Sequence, residues 1–224
     1  MSGYFSLNRL LKAGALSAAI TLMAVPRIMA GGLDVAASVA VAFMAMTLIA
    51  HSARMWEHSG GMVGMFPERG RCLAGLAVAA LLGALLLLIR IVYLDPVYKF
   101  ALTRSGQDAT FVLRYPDTMF GAVALILWVA GFETMFFLAG VVSFFARLSR
   151  RQWVAIVGAT GVRLLVTGLQ FSQSGTNDAT PLFVAGIMAT TALGALIYVR
   201  AGLPAAMLFS AIVSARPLTP PPAW

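Results

Sequence analysis

Residues 72–94 read CLAGLAVAALLGALLLLIRIVYL. A single charge, Arg90, interrupts a run that is apolar on every face of a helix, and a helix of that kind is buried in a large core or in lipid. About 20 such residues cross the roughly 30 Å hydrocarbon layer of a bilayer. Working outward from this stretch, the same reading applies to six further segments: 11–30, with Pro26 and Arg27 near its end; 33–50; 119–146, long and rich in aromatics; 152–171; 182–199; and 203–215, which is short for a full span. The fold predicted is all-α, a polytopic membrane helical bundle of about seven transmembrane segments forming one domain over residues 1–224. Within it, 11–118 supply the N-terminal helices and an outer loop, 119–215 a helical core, and 216–224 an extended tail around Pro220, Pro221 and Pro222, which cannot continue a helix.

Composition agrees with the segment reading. Of the 224 residues 60% are hydrophobic and 11% charged, with a mean hydropathy of +0.89. Soluble domains carry about twice that share of charge. The lone cysteine, Cys72, excludes an internal disulfide and any cysteine-rich metal centre. A net charge of +8 in a soluble protein would suggest nucleic acid, but here the basic residues sit between apolar runs, where they set topology. No nucleic-acid partner is expected.

With the N-terminus in the cytoplasm, nine basic residues (Arg9, Lys12, Arg54, Arg69, Arg71, Arg147, Arg150, Arg151, Arg200) lie inside and five (Arg27, Lys99, Arg104, Arg114, Arg216) outside. The positive-inside rule favours that orientation, in the inner membrane of a bacterium. The 95–118 connection and the tail from Arg216 then face outward. The first segment has the charge and apolar core of a secretory signal, but Pro26-Arg27 sits badly ahead of a cleavage site, and a retained helix is expected.

An ionisable side chain at membrane depth costs several kcal/mol unless it is paired or hydrated. Glu133 and Arg163 fall mid-span in consecutive segments joined by the short basic turn 147–151, and a buried Glu133–Arg163 ion pair is the economical expectation. Arg90, beside Tyr93, is expected to snorkel to the headgroups. Ala155, Ala159, Arg163 and Thr167 recur every four positions, as do Gly186, Thr190 and Gly194, and Ala206, Ser210 and Ser214, all but Arg163 small. That spacing marks packed faces in lipid. His51 and His58 are seven apart and share a helical face, a thin case for a metal or tetrapyrrole without a third ligand. No cofactor is predicted, although the aromatic span, with Phe136, Phe137, Phe144 and Phe145 taken to point outward, leaves lipid or pigment contact open.

From Glu133 to Ser214 the landmarks resemble those of the CPBP family of CAAX-prenyl-protease and bacteriocin-processing intramembrane proteases. Glu133-Thr134-Met135-Phe136-Phe137-Leu138-Ala139 is similar to that family's Glu-Glu-x-x-Phe-Arg-Gly opening. A basic turn, a helix led by Trp153, a helix ending Ile197-Tyr198-Val199-Arg200, and Ala201-Gly202-Leu203-Pro204 before the last helix follow in the family's order. The resemblance implies a CPBP-like helical scaffold and departs from the family at its chemistry. Only Glu133 remains of the glutamate pair, with Thr134 in the second place and Leu138 in the arginine place. The Phe-x-x-x-His motif falls on Arg163 and Thr167, and the His-x-x-x-Asn motif on Ser210 and Ser214. Hydroxyls cannot take over proton transfer from imidazole near neutral pH.

The sequence therefore points to a non-catalytic membrane protein, an accessory or assembly subunit whose partners are the bilayer and other membrane subunits. Two alternatives stand beside it. One is an intramembrane protease with a rearranged site built on Glu133 and His51. The other is a small transporter with Glu133 or Asp34 on a polar path, for which no repeat symmetry is evident.

Overall fold

The computed structural model describes residues 7–30, 34–56, 61–97, 118–174 and 180–218. Among the described residues seven helices follow one another: α1 (Leu7–Ala30), α2 (Val35–Trp56), α3 (Arg69–Val97), α4 (Met119–Ser149), α5 (Gln152–Ser174), α6 (Thr180–Ala201) and α7 (Leu203–Val213). There is no strand among the described residues. Six of the helices are long and apolar enough to cross a membrane, and the molecule is a multi-pass helical bundle. The 11 residues of α7 rise about 16 Å, half the hydrocarbon thickness, so this segment does not cross alone.

Local chemistry sets the helix ends. The Asp34 side chain accepts from the Ala37 amide at 3.1 Å and starts α2, and Thr118 caps α4 by accepting from Gly121 at 3.0 Å. Each satisfies an amide the helix itself cannot. Pro26 does not end α1, which runs on to Ala30. α4 stops at Arg150, whose left-handed φ of 55° turns the chain into the basic corner, and Gly202, at φ 82°, breaks α6 from α7. The segment 61–68 is stitched beneath that break by bonds from Val63 N to Val199 O (3.0 Å) and from Leu203 N to Met65 O (2.9 Å).

α4 is the centre of the bundle. Of its most apolar stretch 44% is buried, against 17–28% in the other five spans, and it packs on α1, α2, α5, α6 and α7. Between Trp128 and Val142 it is wound wide, with π-type turns, and the Thr134 hydroxyl donates five residues back to Val129 O at 2.9 Å. Such winding is uncommon and concentrates at functional sites. Its buried face includes Met135, Leu138 and Val142, which join Met46 of α2, Tyr198 of α6 and Phe209 of α7 in one core. Tyr198 and Ser143 share a hydrogen bond of 3.1 Å there.

The small-residue stripes are packed only in part: Arg163, Gly186, Thr190, Ser210 and Ser214 are half-buried. Ala155, Ala159 and Thr167 of α5, Gly194 of α6 and Ala206 of α7 are buried. Three expectations need correction. Phe137 points inward and is buried, and Phe145 packs over Gly158, so only Phe136 and Phe144 of the four phenylalanines are exposed. The tail is not extended from its start: Arg216–Leu218 form a 3-10 turn with Arg216 buried, while 219–224 lie outside the described residues. Asp34, offered for a polar path, sits at an exposed helix end as a cap.

Candidate functional site: a charged cavity inside the bundle

The wide winding of α4 turns Leu125, Val129, Glu133, Thr134, Phe137 and Leu138, spaced at four to five residues, onto one face of a cavity of about 310 Å³. Arg163 of α5, Phe183, Ile187, Thr190 and Thr191 of α6, Phe209, Ser210, Val213 and Ser214 of α7, and Arg90 of α3 line the other sides. Glu133 and Arg163 meet as the sequence requires, Nη2 to Oε2 at 2.8 Å. Trp128 Nε1 donates to the other carboxylate oxygen, Oε1, at 3.2 Å. The indole is stacked on Phe132 with ring centres 4.3 Å apart, which fixes its direction. The guanidinium lies 4.5 Å over the Phe137 ring, a cation–π contact that strengthens away from water.

The pair is not sealed. Each side chain keeps 25% of its surface accessible. The expectation of full burial fails because the facing positions of α6 and α7, Thr190, Thr191, Ser210 and Ser214, are too small to fill the space. Two hydroxyls are turned back to their own helices: Thr134 to Val129 O, and Thr190 to Gly186 O at 2.9 Å.

Of the positions singled out in the sequence, Glu133, Thr134, Leu138, Arg163, Ser210 and Ser214 line this one cavity. Thr167 is buried on α5 but does not. His51, half-buried on α2, is also not among the lining residues, and His58 lies outside the described residues. No cluster of three or more His, Cys, Asp or Glu side chains suited to a metal ion occurs among the described residues.

A second charged cluster was not expected. Asp95, fully buried at the end of α3, is bonded by Nε of Arg216, itself 2% exposed, and Arg90 Nε approaches the other carboxylate oxygen at 3.8 Å. Arg90 thus turns into the bundle instead of snorkelling outward, because a buried carboxylate lies within its reach. The sequence signal was available: Asp95 and Arg216 each follow directly on an apolar run, with opposite sign. No protein-family model, curated protein or solved structure matches this chain.

Proposed function

We propose that this chain is a non-catalytic multi-pass membrane protein on a CPBP-like helical scaffold, serving as an accessory or assembly subunit of a larger membrane complex. The observation that carries the reading is the state of Glu133. Both of its oxygens are engaged, by Arg163 and by Trp128. Hydrolysis through a carboxylate needs an oxygen free to take a proton from water, or a positioned partner of suitable pKa to do so. Guanidiniums do not release protons in proteins, and the other polar lining groups are hydroxyls. An ion pair that fixes two helices is a use of such charges that requires no chemistry. The meeting of six motif positions at one cavity supports the CPBP-like scaffold.

The partner-facing surface is read from exposed aromatics on the central helix. Phe136 and Phe144 keep 39% and 50% of their surface accessible, on a helix that also exposes Met119, Phe120, Val123 and Leu148. We assign the N-terminus to the cytoplasm of a bacterial inner membrane from the basic corner Arg147–Arg151 and the charge bias around it.

Extraction in a mild detergent, followed by sizing and mass spectrometry, tests the proposal. A stoichiometric assembly that survives Glu133→Gln and is lost on Phe144→Ala is the expected result. A monodisperse single chain without any other subunit would overturn it.

A further inference from the structure

We infer that the cavity between α4, α5, α6 and α7 binds an anionic amphiphile, with a phosphate or carboxylate head facing Arg163 and Arg90 and an apolar chain against Phe183, Ile187 and Val213. The inference stands apart from the accessory-subunit reading, since the cavity is built by this chain alone. Two guanidiniums and one carboxylate line it among the described residues, with Asp95 behind Arg90 at 3.8 Å. Arg163 gives one hydrogen bond to Glu133, and a guanidinium carries five N–H donors in a planar fork. The remaining donors sit mid-span, where acceptors are scarce and an unmet polar group is expensive.

The accessibility of the charged groups adds to this. Arg163 and Glu133 keep 25% of their side-chain surfaces open and Arg90 30%, although these lie on helices long enough to span lipid. The walls are apolar and aromatic with a few convergent polar groups, the usual make-up of a small-molecule site. The volume of about 310 Å³ falls at the lower end of such sites and holds a head with the first part of a chain. Arginine pairs with phosphate or carboxylate through two parallel bonds, and basic pockets between transmembrane helices hold acidic headgroups.

The test uses the full chain in phosphatidylcholine nanodiscs with and without phosphatidylglycerol, followed by native mass spectrometry of retained lipid and by thermal unfolding. One phosphatidylglycerol retained per chain, with a matching rise in melting temperature, is expected. Arg163→Gln should weaken retention about tenfold or more, the worth of a charge-assisted contact. Because Arg163→Gln also strips Glu133 of its partner, two further variants guard the result. Arg90→Gln should weaken retention with the Glu133–Arg163 and Asp95–Arg216 pairs both in place, losing only the longer Arg90–Asp95 approach, and Glu133→Gln should strengthen it by removing the competing anion. Equal retention of both lipids, or no response to Arg90→Gln and Glu133→Gln, overturns the inference. Displacement of the lipid by millimolar inorganic phosphate would show a site for the free anion and would equally overturn the amphiphile.

Discussion

Two ion pairs join helices of this bundle, and they differ in what surrounds them. Glu133 and Arg163 face a cavity and retain a quarter of their surface, whereas Asp95 and Arg216 are sealed at 0% and 2%. Desolvation of both partners makes the sealed pair costly to break, because removal of one side leaves an uncompensated charge. Arg216→Met should therefore lower stability by about 3–5 kcal/mol, read from denaturant-induced unfolding in mixed micelles. The double variant Asp95→Leu/Arg216→Met should recover most of that loss, and a double variant as unstable as the single one would show that the pair is not the source. The two pairs were unequally legible in the sequence. Glu133 and Arg163 sit mid-span on consecutive helices, where each charge demands a partner and the other is the nearest available. Asp95 and Arg216 lie 121 positions apart, each at the end of an apolar run, where a charge ordinarily meets water and asks for nothing.

At the level of the helices, hydropathy located every segment because lipid sets both the length and the apolar character of a span. It could not foresee how α4 is wound, since wide and ordinary turns are equally apolar. That winding decides which side chains share the cavity, and it carries Phe137 inward beneath Arg163. The break before α7 was visible in Gly202-Leu203-Pro204, and the structure supplies its physical reason. Gly202 has a φ of 82°, and a Cβ there would meet Pro67 Cδ at 2.6 Å and Met65 O at 2.8 Å. Backbone strain and contact with a fixed carbonyl act together, so Gly202→Ala should cost about 1–3 kcal/mol. Loss of the Leu203–Met65 bond should accompany it, seen as faster amide exchange at Leu203. By contrast Gly161→Ala, where a Cβ meets nothing within 4 Å, should leave the melting temperature unchanged or raise it slightly, since alanine favours a helix.

For the molecule as a whole, an assembly of apolar helices fixes its solvent but leaves its direction to a small imbalance of charge. With α3 and α4 each taken to cross once, the basic corner at 147–151 between α4 and α5 falls on the same side as the start of α3. Cys72 lies in the first turn of α3, half-buried and free, and Asp34 lies exposed at the opposite end of α2. Attraction of arginines to the cytoplasmic face then predicts opposite behaviour for thiols at the two sites. In intact cells a membrane-impermeant maleimide should leave Cys72 unmodified and should label it once the membrane is permeabilised. Asp34→Cys in a Cys72→Ser background should be labelled without permeabilisation, which guards against a Cys72 that is merely shielded by its neighbours. Labelling of Cys72 in intact cells, with protection at position 34, would invert the molecule. It would place Arg147, Arg150 and Arg151 on the outer face, against the attraction of basic residues to the cytoplasmic side.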